Sequence, residues 1–267
     1  MNVVTSRLLN EDAVLVTVEA TQGSVPREAG TWMAVFAGDV VGTIGGGHLE
    51  FQAIEEARQR LAGREGDPAR RYALGPSLGQ CCGGVVHLRF ERVGAADVPA
   101  LRKRLGAQLA PLALFGGGHV GKALVNVLAT LPFAVTWIDS RDEIFPQWVP
   151  ANVLCEHSDP VHAAVAELAP LSRVLIMSFS HAEDLDIAAA CLRRQRERDD
   201  LPYIGLIGSK TKWATFRHRL EDRGFVAAEL SQVTCPIGLP GITGKEPEVI
   251  AVSVAAQILQ LAPPGKP

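Results

Sequence analysis

The sequence predicts an α/β protein in two parts: a small N-terminal α+β domain, then a doubly wound parallel-sheet domain. Three observations carry that prediction. In the second half, short apolar runs near 112–115, 133–138, 173–179 and 203–207 alternate with helical stretches near 119–130, 160–168, 184–197 and 210–222, the pattern of a parallel sheet covered on both faces. A glycine-rich turn joins the first of these strands to the first of these helices. Across residues 1–93 the alternation is absent, and Val-rich β-type runs surround a single helix-like stretch.

The elements follow in order. Residues 13–20 and 32–44 read as strands, the second stretch divided by the turn residues Gly38 and Asp39. From His48 to Leu61 the spacing predicts a helix, because Leu49, Ile54, Ala57 and Leu61 share one face. The run VVHLRFERV makes 85–93 a further strand. The polar, helix-prone stretch 94–110 is the expected linker, so that residues 1–93 and 111–267 form the two domains. A last helix is expected from Glu246 to Leu261, followed by a frayed PPGKP tail. No internal repeat or low-complexity tract interrupts the chain.

Composition narrows the function. Hydrophobic residues are 47%, charged residues 21% and the formal net charge is −3, which gives no footprint for nucleic acid or an anionic membrane. The densest basic cluster, Arg193, Arg194, Arg196 and Arg198, is interrupted by Glu197, Asp199 and Asp200 and reads as a solvated helix end. The N-terminus lacks the basic start and apolar core of a signal peptide, and no run reaches the ~18 apolar residues of a membrane span. Five cysteines in a chain of this size are not a disulfide framework, and a reducing cytoplasm is the expected compartment.

The turn LALFGGGHVG holds Gly116-x-Gly118-x-x-Gly121 between a strand and an apolar helix. In this motif the first glycine permits the tight turn, the second lets a phosphate approach the backbone, and the third lets the helix pack on the strand. Asp139 ends the next strand, where an acidic side chain meets a ribose in dinucleotide-binding proteins. The same residues nearly spell a triphosphate loop through Gly121-Lys122, but Ala123 stands where Ser or Thr would hold Mg²⁺. A Rossmann-like phosphate site is therefore predicted; the loop alone does not name the ligand.

Gln80-Cys81-Cys82-Gly83-Gly84 places adjacent thiols before a flexible glycine pair. They are either inert or a ligand and nucleophile for a thiophilic centre. Cys191 lies in an apolar helical stretch and reads as core, while Cys235 precedes Pro236 in a loop. Gly45-Gly46-Gly47-His48-Leu49-Glu50 is either a second anion loop or a simple strand-to-helix turn. Arg27, in the loop Gly23-Ser24-Val25-Pro26-Arg27, is a further candidate for an anion. Ile207-Gly208-Ser209-Lys210 ends a strand and starts a helix, so Ser209, Lys210 and Lys212 are placed to face the ligand of Gly118. Ser180, His181 and Asp184 follow another strand end, with helix capping as their ordinary role.

Taken together these stretches resemble the xanthine dehydrogenase accessory family, also called the XdhC/CoxI family. The stretches that carry the resemblance are GSVPREAG (23–30), VGTIGGGHLE (41–50), CCGG (81–84), LFGGGHVGKAL (114–124), IDSR (138–141), HAEDLD (181–186), YIGLIGSKTK (203–212) and CPIGLPGITGKEPEVIAVSVAAQIL (235–259). They occur in family order and span nearly the whole chain.

The resemblance implies an accessory protein that binds molybdenum cofactor, as molybdopterin or a dinucleotide form. It implies that the cofactor acquires its sulfido ligand with a cysteine desulfurase and passes to a xanthine dehydrogenase-type molybdenum hydroxylase. Turnover of its own is not expected, apart from sulfur transfer through a cysteine persulfide, and a homodimer is expected. On this reading Gly116, Gly118, His119 and Gly121, with Gly208, Ser209 and Lys210, hold the phosphate end. Asp139 and Arg141 meet a nucleotide or pterin edge, and Cys81, with Cys82 beside it, meets the molybdenum. Two other classes stay open: an NAD(P)-dependent oxidoreductase, which explains the glycine loop and Asp139 but not CCGG, and a nucleotide-sensing regulatory module.

Overall fold

The computed structural model describes residues 2–75, 83–105 and 109–261, and the chain divides into two units, Met1–Gly106 and Ala107–Pro267. The first is built on β1 (Ala13–Gln22), which alternates strictly enough to cover two cores. Val14, Val16 and Val18 face α2 (Gly47–Leu61) and meet its Leu49, Ala53 and Ala57. Ala13 and Leu15 face the other way, into a cluster with Val4 of α1 (Asn2–Arg7) and with Val98 and Leu101 of α3 (Val98–Leu105). Residues 95–105, within the stretch read from sequence as a linker, are thus a short 3₁₀ turn and a helix that close this core.

β1 pairs antiparallel with β2 (Trp32–Val35) on one side and β5 (Val85–Val93) on the other. β3 (Val40–Gly42) and β4 (Ala69–Ala73) are the edges of the order β3-β2-β1-β5-β4. β4 was not expected from sequence: in ARRYA only Tyr72 is buried, so it carries no apolar alternation.

The second unit is a six-stranded sheet in the order β11-β10-β9-β6-β7-β8, with every pair parallel. Its strands are β6 (Ala110–Phe115), β7 (Phe133–Asp139), β8 (Val153–His157), β9 (Arg173–Ile176), β10 (Tyr203–Leu206) and β11 (Val233–Thr234). Leu112, Leu114, Val135 and Trp137 pack under α4 (His119–Leu128) and α8 (Pro247–Leu259). Ala113, Phe115, Val174 and Ile176 pack on the opposite face under α5 (His181–Arg198) and α6 (Lys210–Asp222).

The helix expected near 160–168 is instead a 3₁₀ segment, Val161–Glu167, entered from Pro160. The chain runs outward in sequence order from β6 through β7 to β8, then returns to β9 on the other side. Connections therefore diverge between β6 and β9, and the carboxyl ends there leave a crevice, the usual ligand position in such sheets.

Candidate functional site

The crevice is lined first by the glycine turn. Gly116 has φ +122°, and a Cβ there would lie 2.0 Å from the Met177 carbonyl oxygen at the end of β9. A Cβ on Gly121 would lie 2.0 Å from the Gly116 oxygen, and one on Gly117 would meet Ile144 at 2.6 Å. Around Gly118, by contrast, nothing lies within 4 Å. Three of the four glycines are thus filled by the protein and one faces open space. The turn is held from below: Gly116 N–H donates to the Ile138 oxygen at 2.8 Å and the indole N–H of Trp137 donates to the Gly116 oxygen at 3.0 Å. Gly118 is the N-cap of α4 and offers no side-chain cap, so the first-turn amides from His119 onward are left for solvent or an anion. His119 itself is exposed.

Asp139 stands at the end of β7, at the ribose position of the motif, but its carboxylate points into the protein and is 1% exposed. Oδ2 accepts from Gly117 N–H at 2.6 Å and from Arg141 Nη2 at 2.9 Å; Oδ1 accepts from Arg141 N at 2.9 Å and Nε at 2.8 Å. Burial alone would raise its pKa, but the hydrogen bonds from Arg141 and Gly117 outweigh that and hold it below the ordinary carboxylate value. The Arg141 guanidinium is correspondingly held charged, chiefly by its hydrogen bonds to Asp139. Asp139 therefore clamps the glycine turn to Arg141.

Arg141 continues outward from the clamp. Its guanidinium lies 4.4 Å from the ring centroid of Phe179, which follows β9 and is 66% exposed. Glu183, in the first turn of α5, ties the two segments: Oε1 accepts from Ser140 Oγ at 2.7 Å and Oε2 from Phe179 N–H at 3.1 Å. Ser180 caps the same helix by accepting from Glu183 N–H. Sequence reasoning did not single out Phe179 or Glu183, although the Ser-x-x-Glu spacing at 180–183 was a visible signal for an inward-turned glutamate.

The loop 207–212 divides. Ser209 is the N-cap of α6, its Oγ accepting from Lys212 N–H at 3.1 Å. Lys210 is exposed and borders a cleft of about 560 Å³ formed with Pro236, Leu239 and Ile242. Lys212, which sequence had placed toward the ligand, is turned inward: Nζ donates to Asp184 Oδ2 at 2.6 Å and to the Ile207 oxygen at 2.8 Å. Asp184 in turn accepts from Ser178 N–H at 2.8 Å and Ser178 Oγ at 2.7 Å. A Cβ on Gly208 would contact the Lys212 side chain at 2.7 Å and Cys235 Sγ at 3.4 Å. Burial pushes the Cys235 thiol up to about 11, against the opposing charge of Lys212 and with that of Asp184.

In the first unit the GGGHLE turn is filled by its own acid. Glu50 Oε2 accepts from the Thr43 hydroxyl, from Ile44 N–H at 2.9 Å and from Gly46 N–H at 3.1 Å. Burial works against ionisation, but these donors leave its pKa below the ordinary value. The anion-loop reading of Gly45–Gly47 gives way to an internal clamp. Beside it, a Cβ on Gly45 would meet Pro26 at 2.7 Å and Arg27 at 3.3 Å. Gly84 N–H donates to the Ser24 oxygen at 3.1 Å. The stretches 23–27, 43–50 and 83–84 thus converge. Cys81 and Cys82 lie outside the described residues, among which no group of three or more His, Cys, Asp and Glu is placed to hold a metal ion.

Residues 112–258 match the XdhC Rossmann domain, more than half of the chain, and residues 7–73 match the XdhC and CoxI family. The chain belongs to the XdhC and CoxI family. Over 247 residues it is 28% identical to the uncharacterized protein YqeB of Escherichia coli strain K12, which covers 90% of this chain. The chain spans 42% of the length of that curated relative. A crystal structure described as a xanthine dehydrogenase from Bacillus halodurans superposes with a TM-score of 0.78 at 20% identity, over 97% of this chain and 94% of that one. The likeness to it is one of fold. Within the XdhC Rossmann domain, the matched region contains the whole glycine turn, Asp139, Arg141 and the 208–210 loop.

Proposed function

We propose that this XdhC and CoxI family protein carries molybdenum cofactor as cargo, holds it for sulfuration by a cysteine desulfurase, and inserts it into a xanthine dehydrogenase-type molybdenum hydroxylase. The observation that carries the reading is the open approach at Gly118, at the uncapped start of α4 and at the divergence of the parallel sheet. A phosphate or pyrophosphate is what such a position accepts. Gly116, Gly118, His119 and Gly121 receive it, with Gly208, Ser209 and Lys210 beyond the end of β10, two strands from β6. Arg141 meets the heterocycle, and Asp139 acts through Arg141 and Gly117 as a positioning residue. Cys81, with Cys82 beside it, takes the metal end. Family membership supports the recipient class. The free thiols Cys155, Cys191 and Cys235 suit a reducing cytoplasm, and no helix among the described residues is long and apolar enough to cross a membrane. A homodimer is the assembly we assign.

A nicotinamide-dependent oxidoreductase is the weaker reading, because the carboxylate at the ribose position is already filled by donors of its own chain. The test is anaerobic binding of released molybdenum cofactor to the purified protein, read by the fluorescence of oxidised pterin and by molybdenum analysis, with NAD⁺ and NADP⁺ alongside. Stoichiometric retention of pterin and molybdenum, with molybdenum lost in Cys81→Ala, is the expected result. Tight nicotinamide binding with no pterin retained overturns the proposal.

A further inference from the structure

The crevice holds an exposed aromatic ring that neither the phosphate turn nor the core requires. Phe179 is 66% exposed, so burial is not what keeps it in place. Its backbone N–H is fixed by Glu183, the same glutamate that fixes Ser140 on the segment carrying Arg141. β7 and β9 flank β6 in the sheet, and the glycine turn ends β6. The guanidinium of Arg141, from the end of β7, therefore reaches the ring of Phe179, from the end of β9, across the strand that leads to Gly118. Asp139 orients that guanidinium through Nε and Nη2, while Nη1 has no hydrogen-bond partner among the described residues. Both stacking partners are held at their roots, and the ring keeps exposed surface beyond its contact with the guanidinium.

Asp139 has no lone pair left for a ligand. A ribose diol is read by a carboxylate with lone pairs facing the ligand. Here each oxygen already accepts two donors from Gly117 and Arg141, and the side chain is 1% exposed. The position that usually reads sugar has been spent on holding a stacking cation.

We propose that Phe179 and Arg141 form a stacking platform for the planar heterocycle of a phosphate-bearing ligand, and that the site reads the ring without reading the 2′-hydroxyl of a ribose. The proposal rests on the reading that the Gly118 turn takes the phosphate. It extends the ligand class to any planar base or pterin joined to a phosphate or pyrophosphate, with affinity contributed by stacking on a π-face and a guanidinium plane.

The probes are pyrophosphate, ADP and 2′-deoxy-ADP, titrated calorimetrically against the full chain and against Phe179→Ala and Phe179→Trp. Stacking on one aromatic ring corresponds to a loss of roughly 5- to 150-fold on alanine substitution. Expected are pyrophosphate binding, ADP binding at least about tenfold tighter, and ADP and 2′-deoxy-ADP equal within about twofold. Phe179→Ala lowers ADP affinity toward that of pyrophosphate while leaving pyrophosphate unchanged, and Phe179→Trp restores it. The ring is exposed, so its removal leaves the fold intact, and a thermal melt verifies that. A preference of tenfold or more for ADP over 2′-deoxy-ADP overturns the proposal, as does ADP affinity indifferent to Phe179→Ala. Pyrophosphate binding with no gain from the base overturns the platform and leaves the phosphate reading standing. Binding of none of the three removes both.

Discussion

Replacing Asp139 by Asn isolates the clamp, because it keeps the shape and removes the charge. In the wild type the carboxylate satisfies a buried amide and three donors of Arg141. An asparagine offers one acceptor oxygen and presents an NH₂ to donors, so either Gly117 N–H or the guanidinium loses its partner. Removing one member of a fully buried ion pair costs about 3–5 kcal/mol. Arg141 is 36% exposed, so water recovers part of its solvation, and the expected loss falls to about 2–3 kcal/mol. For a unit of this size that is a fall of about 5–10 °C in Tm, measured by calorimetry as the transition of the second unit. The pH dependence has a fixed sign. The folded pKa lies below the ordinary 3.8, so the stabilisation is present above that value and is lost as pH falls through the folded pKa. The gap between wild type and Asp139→Asn should therefore be full near neutrality and close as the pH drops below 3.8. A Tm within about 2 °C of wild type, together with weakened nucleotide binding, would refute the clamp and return the carboxylate to the ligand.

Four further outcomes follow from the two units. Gly118→Ala should leave Tm unchanged, since nothing lies within 4 Å of the added Cβ, yet weaken pyrophosphate several-fold by calorimetric titration. Gly121→Ala, with its Cβ 2.0 Å from the Gly116 oxygen, should cost about 3 kcal/mol or more in urea unfolding; a neutral Gly121→Ala contradicts the packing. Cys235, at about 11, carries about 200-fold less thiolate at pH 8 than a free cysteine, of which its greater basicity returns roughly tenfold. Its alkylation should thus be at least about tenfold slower than in the unfolded protein by peptide mass mapping, and equal rates would show the thiol to be exposed. Glu50→Gln should remove a stabilisation of the first unit that is present above the ordinary 4.5 and lost as pH falls through its depressed folded pKa. Hydrogen exchange of the β1 and β2 amides in urea, read by mass spectrometry, follows this unit alone, and an unchanged pH slope in the variant would count against the Glu50 clamp.

The fold was legible wherever burial writes a period into the chain. The expected strand 85–93 and helix 210–222 coincide with β5 and α6, because β5 buries Val86, Leu88 and Phe90 at every second position and α6 buries Phe216 and Leu220 one turn apart. Edge elements were not legible. β8 reads VLCEH with only Val153 buried, and β11 is two residues long, so neither carries a pattern that distinguishes strand from loop. The segment 161–167 has apolar residues at helical spacing, but Val161, Ala164 and Val165 are served by a 3₁₀ turn against α5. In the site, the turn was legible because Gly116 and Gly121 are packed as the motif's spacing requires, and Asp139 was legible by position. What it touches was not. Spacing locates a side chain at a strand end but does not say whether its lone pairs turn toward a ligand or toward an amide 22 residues earlier in the chain.

The two glycine turns of this chain solve one problem in the same way, with different consequences. A turn rich in glycine exposes several backbone N–H groups at once and loses much conformational entropy on folding. In the first unit Glu50, four residues beyond Gly46, accepts from the turn directly and fills the concavity that an anion would need. In the second, Asp139 reaches the turn from the neighbouring strand and takes Gly117 N–H alone. An acid within the helix that follows a turn must sit where the anion would sit. An acid arriving from the adjacent strand holds the turn from the side, and the start of α4 at Gly118 stays open. The source of the clamping carboxylate is thus what separates a closed glycine turn from one that can receive a phosphate, although in sequence the two runs, GGGHLE and GGGHVG, differ little.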